Sequence, residues 1–194
     1  DGPVLALIAG IHGYEYPPIT ALQEVRAQIN PAALSGTIII VHIANMPSFL
    51  GRTIYYSPGD GQNLNRLFPG DPKGSVSQRI AHLLTTEVID QADYLIDLHG
   101  GDGNEALRPY VYMPVTGDKT FDAKIKGLAV AFGLDHVVMD AGPQHARGPS
   151  LFTDQTALER GIPAITKEQS QGVKMKYLSV CTGTGVIWDP DAPD

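Results

Sequence analysis

The sequence predicts an α/β domain built on a twisted, largely parallel or mixed sheet with helices packed against it. Three observations carry this. Short apolar runs recur along the chain, the segments between them repeat apolar residues at helical spacing, and glycine or proline marks most of the junctions. The 194 residues suit one domain and are enough to bury a substantial core.

Val4 to Ala9 is a continuous apolar run ended by Gly10, which reads as a strand buried on both faces. Pro17 and Pro18 open a helix with Ile19, Leu22, Val25 and Ile29 on one side, because proline is tolerated in a first turn; Pro31 stops it. Thr37 to Ile43 is rich in β-branched residues and forms the second strand. Asn45 to Pro72 is dense in Gly, Pro, Asn and Asp, which predicts a long structured loop of the kind that is usually functional. Ser75 to Ile89 has helical spacing, and Asp93 to Leu98 is a third strand leading into His99-Gly100-Gly101. A strand over Tyr110–Met113, a helix over Phe121–Phe132 and a strand over His136–Met139 follow. The alternation ends with a helix over Ser150–Glu159, capped by Ser150, and a strand over Pro163–Thr166 that runs into Lys167-Glu168. Val173 to Asp194 does not continue the pattern.

Charge and composition narrow the partners. A net charge of -7 argues against nucleic acid or an anionic membrane as a bulk partner. No stretch approaches the ~20 apolar residues of a membrane span. The single cysteine, Cys181, excludes an internal disulfide and a multi-cysteine zinc site, and a reducing cytoplasm is the expected compartment. Any zinc would have to be held by His and carboxylate. No G-x-G-x-x-G follows the first strand, which disfavours a nucleotide binder. The chain opens at Asp1-Gly2-Pro3 without Met, so a truncated N-terminus is expected.

Ligands of open α/β sheets bind outside the carboxyl ends of the strands, which directs attention to the residues that follow each strand. After the first come His12 and Glu15, three apart, whose side chains can converge on one point; after the third comes His99. Two His and one Glu leave a zinc position open, the ligand count of a catalytic rather than a structural site. The competing reading makes His12 and His99 loop histidines satisfied by local hydrogen bonds. The long loop adds Arg52 and the pair Asn65-Arg66; a guanidinium binds a carboxylate bidentately, and in an acidic protein this points to an anionic substrate group. The alternative pairs Arg66 with Asp60 or Asp71 to hold the loop. Glu168, at the same sheet edge, is placed to accept and return a proton, or is an ordinary exposed acid. His42 and His82 read as structural, while His145 and Arg147 are candidates to line a pocket.

Four segments then fall in one order: Gly10-Ile11-His12-Gly13-Tyr14-Glu15, Asn63-Leu64-Asn65-Arg66-Leu67-Phe68-Pro69-Gly70, Asp97-Leu98-His99-Gly100, and Gly161-Ile162-Pro163-Ala164-Ile165-Thr166-Lys167-Glu168. In this the chain resembles the succinylglutamate desuccinylase/aspartoacylase family, a branch of the zinc carboxypeptidase-like fold, over about residues 3 to 168. The resemblance implies a three-layer domain with a mixed sheet flanked by helices, and one zinc per chain on His12, Glu15 and His99. It implies Glu168 as general base and acid, Asn65 with Arg66 as the clamp on a substrate carboxylate, and Arg52 as the group that stabilises the oxyanion. Residues 1–194 are then one catalytic domain lacking the family's further C-terminal β-rich segment, and the run Glu168-Gln169-Ser170-Gln171 departs from the small residues usual there. The expected activity is hydrolysis of the amide bond of a small anionic N-acyl amino acid or a related small amide. The rivals are a zinc carboxypeptidase acting on peptides and a non-catalytic metal- or ligand-binding module.

Overall fold

The computed structural model describes residues 2–101, 105–141, 151–169, 181–182 and 185–186. Its centre is a six-stranded sheet of β1 (Val4–Ala9), β2 (Thr37–Val41), β3 (Tyr94–Gly100), β4 (Tyr110–Pro114), β5 (Val137–Asp140) and β6 (Ala164–Gln169). The strand order is β2-β1-β3-β6-β4-β5. Every neighbouring pair is parallel except β4 with β6, so the sheet is mixed. A separate antiparallel ribbon joins β7 (Cys181–Thr182) to β8 (Gly185–Val186).

The apolar runs of the central strands exist because helices cover both faces. On one face Leu5, Leu7, Ile96, Leu98, Val111 and Ile165 pack against α1 (Tyr16–Gln28) and a later helix, Lys119–Phe132. On the other, Ala6, Ile8, Leu95 and Ala164 meet the helices Val76–Glu87 and Thr153–Glu159. The domain therefore has three layers, as expected. In chain order the remaining helices are α2 (Met46–Gly51), α3 (Val76–Glu87), α4 (Lys119–Phe132) and α5 (Thr153–Glu159). No described helix is long and apolar enough to cross a membrane.

Three expectations need correction. The segment Asn45–Pro72 is not all loop: it holds α2 and a 3₁₀ turn, Leu64–Arg66. Asn45 caps α2 by accepting the Ser48 N–H at 3.2 Å, and Pro47 fits its first turn. Strands β3 and β6 run further than their apolar text, because Leu98, His99 and Gly100 stay paired with Lys167, Glu168 and Gln169. His99 and Glu168 thus lie within strands and not beyond them. Helix α5 starts at Thr153 with Phe152 in the cap position; Ser150, the expected cap, lies outside the described residues.

Helix α3 follows the sequence most closely. Ser75 accepts the Gln78 N–H and the Gln78 side chain accepts the Ser75 N–H, a reciprocal capping box. Replacing Ser75 by Ala should cost about 1 kcal/mol of stability, read as a lower urea midpoint at unchanged slope. An unshifted midpoint would show that the cap contributes nothing to this helix.

Candidate metal centre

The site is built at the carboxyl ends of β1 and β3. Beyond β1, Gly10 turns the chain at φ 71°, and a tight turn closes with the Glu15 N–H on the His12 carbonyl at 3.4 Å. Gly13 lies inside that turn. A Cβ there would collide with the Ser48 carbonyl carbon of α2, so only glycine lets the turn approach. Glu15 occupies the cap position of α1 but makes no capping hydrogen bond. Pro17 and Pro18 in the first turn have no N–H to be capped, which leaves the Glu15 carboxylate available elsewhere.

That carboxylate is the meeting point of the site. Its Oε1 lies 2.6 Å from His12 Nδ1, its Oε2 lies 3.0 Å from His99 Nδ1, and Oε2 also accepts the Gly100 N–H at 2.9 Å. The outer nitrogens of both rings are engaged from behind. His99 Nε2 is 3.1 Å from Asp97 Oδ2, and His12 Nε2 is 3.3 Å from Asn63 Oδ1. Both imidazoles therefore turn Nδ1 inward, the arrangement by which outer partners orient metal-ligating histidines. The ligand atoms of His12, Glu15 and His99 lie within 4.8 Å of one another and all three residues are buried. Two neutral-capable nitrogens and one carboxylate oxygen fit a borderline cation such as zinc and leave a coordination position open.

The electrostatics agree. Burial alone would raise the Glu15 pKa, but the His99 charge and the hydrogen bonds from both histidines outweigh it and hold the carboxyl at about 2. Burial would likewise lower the His99 pKa, yet Asp97 and Glu15 on either side drive it well above its ordinary 6.5. Asp97 and Glu15 thus favour the imidazolium form of His99, and a metal ion taken up here would displace a proton.

A cavity of about 600 Å³ opens over this group. Register explains its far wall. His99 and Glu168 are direct partners across β3 and β6, and Glu168 faces Tyr110 across β6 and β4. Residues so paired point to one face about 5 Å apart, so the Glu168 carboxyl stands beside the triad. Burial, reinforced by Glu15 and Asp97 and opposed by His99 and Lys167, lifts Glu168 to about 7. Lys167, one residue earlier, points to the opposite face, where burial lowers its amine to about 7.

Of the residues expected at the site, His12, Glu15, His99, Asn65, Arg66 and Glu168 all line this cavity. Arg52 is not among the lining residues. It ends α2 in the left-handed region at φ 52°, exposed, with its N–H on the Phe49 and Ser48 carbonyls. His145 and Arg147 lie outside the described residues. Asp97 and Asn63, the outer partners of the histidines, were missed by the sequence reading, although both stand inside the matched segments. Tyr110, Tyr112 and Phe152 were missed as lining residues because they carry no motif. Tyr110 is held protonated by burial and by its hydrogen bond with Tyr112.

An open α/β sheet with a His/Glu/His group at its strand ends and a carboxyl beside it could hold a metal ion at the cavity. Comparison with known proteins gives the family. The chain matches the succinylglutamate desuccinylase/aspartoacylase catalytic domain over residues 1–178 and belongs to that family. It is 38% identical over 140 residues to the N-alpha-acetyl-L-2,4-diaminobutyric acid deacetylase of Halomonas elongata, covering 72% of this chain and 40% of that protein. Among solved structures it is similar to the succinylglutamate desuccinylase/aspartoacylase of Rhodobacter sphaeroides, with a TM-score of 0.76 at 30% identity, over 87% of this chain and 48% of that one. The product-bound ectoine utilization protein EutE (DoeB) of Ruegeria pomeroyi matches with a TM-score of 0.75 at 31% identity, over 86% and 49% of the two chains. The chain thus spans about half the length of these relatives or less.

The opposed shifts of Glu15 and His99 predict a pH window for the metal-free protein. Glu15, lowered from 4.5, contributes stability that is present above pH 4.5 and is lost as pH falls towards about 2. His99, raised above 6.5, contributes stability that is present below pH 6.5 and is lost as pH rises through its elevated value. The Tm difference between wild type and Glu15→Gln in chelator should therefore be greatest between pH 4.5 and 6.5 and shrink on both sides. A difference that grows steadily from pH 5 to 9 would contradict the ionic pairing.

Proposed function

We propose that the protein is a zinc-dependent amidohydrolase that cleaves the acyl amide bond of a small N-acyl amino acid, giving a carboxylate and an amine. The observation that carries this reading is the register of β3 and β6, which sets the Glu168 carboxyl beside the His12, Glu15 and His99 group on the cavity face. Family membership and the deacetylase relative support it. A cytoplasmic setting follows from the same reading and from the single Cys181.

In this proposal His12 Nδ1, one Glu15 oxygen and His99 Nδ1 hold the zinc, with Asn63 and Asp97 fixing the two rings. Zinc bound there would act as a Lewis acid towards the scissile carbonyl. Glu168 takes a proton from the attacking water and returns it to the leaving nitrogen. A carboxyl lifted to about 7 is suited to both tasks near neutral pH. Arg66 and the Asn65 amide hold the substrate carboxylate. The Asn65 Oδ1 already accepts from Thr153, so only its NH₂ remains to face an anion. Arg52 has no part in the proposal, because its position at the end of α2 gives an oxyanion role no support.

The test is a screen of N-acyl amino acids, beginning with N-acetyl-L-2,4-diaminobutyrate, against zinc-loaded protein with a chelator control and dipeptides as the competing substrates. Turnover of dipeptides alone would favour a carboxypeptidase. Within the active preparation, Glu168→Gln should keep one zinc per chain and lose about 10²–10⁴-fold in kcat, whereas His99→Ala should lose the zinc itself. Wild-type turnover in Glu168→Gln would move the proton transfer elsewhere; loss of zinc from it would make Glu168 a ligand.

A further inference from the structure

The segment that leads into α5 is bound to the Asn65-Arg66 turn residue by residue. The Leu151 carbonyl accepts the Phe68 N–H at 3.4 Å. Thr153, fully buried, donates both its N–H and its hydroxyl to Asn65 Oδ1 at 3.1 Å each. Between them, the Phe152 ring lies under the Arg66 guanidinium, with Cζ 4.5 Å from the ring centroid. Arg66 Nη1 also donates to the Asn65 carbonyl at 2.6 Å. Both Phe152 and Arg66 line the cavity.

Phenylalanine is a poor choice for the position it holds. It is the cap residue of α5, where Ser, Thr, Asp or Asn would satisfy a free N–H, and its side chain makes no capping bond. The cap comes instead from a distant side chain, since Asn65 accepts the Thr153 N–H. Helix α5 therefore does not need residue 152 as a cap, and the aromatic ring at that position serves Arg66. Arginine is a long side chain with many rotamers, and here it is exposed. A ring face beneath its guanidinium restricts those rotamers before any ligand arrives, while the N–H groups other than the one given to the Asn65 carbonyl stay at the edge of the fork in the cavity lining.

We propose that Phe152 is a positioning residue that holds the Arg66 guanidinium ready to receive the substrate carboxylate; this rests on the reading of Arg66 as the carboxylate clamp. Its contribution lies in binding and not in the chemical step, and it depends on the aromatic face rather than on bulk.

The experiment compares Phe152→Leu, Phe152→Tyr and Arg66→Lys in the zinc-loaded protein, with N-acetyl-L-2,4-diaminobutyrate and its C-terminal carboxamide as the two probes. Steady-state kinetics is paired with calorimetric Kd values for the free acid on zinc-free protein, so that binding is read without turnover. Phe152→Leu should raise KM and Kd for the acid roughly 2- to 5-fold, the size of an exposed cation–π contact, with kcat within twofold and no change for the carboxamide. Phe152→Tyr keeps the ring and should match wild type, which also guards against a Leu variant that packs badly. An unchanged Kd in Phe152→Leu, an equal loss on acid and carboxamide, or a Tyr variant no better than Leu would each overturn the proposal. Arg66→Lys separates the two levels. Selective loss on the acid with a silent Phe152→Leu removes only the role of Phe152, while equal loss on both probes removes the clamp and the proposal with it.

Discussion

The buried carboxylate of Glu15 is the constraint on which the site depends. An ionised carboxyl taken out of water is tolerated only where charge and hydrogen bonds replace the solvent. Here the replacement comes from both ends of its surroundings: His12 at 2.6 Å, His99 at 3.0 Å and the Gly100 N–H at 2.9 Å. Those three partners belong to the turn after β1 and to the last residues of β3. Satisfying one carboxylate therefore fixes how the β1 turn, the start of α1 and the end of β3 sit together. Gly13, in the same turn, has no room for a Cβ against α2.

A second layer extends this outward. Asn63 stands behind His12 and Asp97 behind His99, so the orientation of each ring is decided by the residue opposite the cavity. Asn63 also accepts the Asn65 N–H at 2.9 Å, which ties the His/Glu/His group to the turn that carries Arg66. Asn65 in turn holds Thr153, and α5 packs against β6, the strand of Glu168. The His/Glu/His group, the Asn65-Arg66 turn and the Glu168 carboxyl are thus linked through a short series of contacts.

Much of this was legible in the chain. The apolar runs gave the strands because each is covered on two faces, and the prolines and Ser75 marked helix starts by the chemistry of the first turn. His12, Glu15 and His99 could be grouped because strand carboxyl ends are where such sheets bind ligands. Helix α2 was hidden by the density of Gly, Pro and Asn around it, although Asn45-Met46-Pro47 is a capped start. Asp97 read as one polar residue in an apolar strand, since nothing local reveals that its carboxyl meets a ring two residues on. Phe152 carried no motif, because the side chain it touches is Arg66, far away in sequence. Arg52 lies at the end of α2 and outside the cavity lining, a placement that its nearness to the motif in sequence does not reveal.

The sequence by itself determined the layered α/β architecture, the identity of the three residues that converge and the turn that brings an arginine near them. These follow from periodicity and from short-range geometry, which act over a few residues. Only the tertiary structure decided that Glu168 stands beside His99, that Tyr110 closes the same wall and that Lys167 is turned away from it. A strand's register is a contact between distant segments, and a slip of one residue would exchange the faces of Glu168 and Lys167. The reversal of β4 against β6 settles that register through pairing no local pattern encodes. The chemistry of the cavity is therefore written in residues the chain displays openly, and its arrangement in hydrogen bonds between strands that meet only when folded.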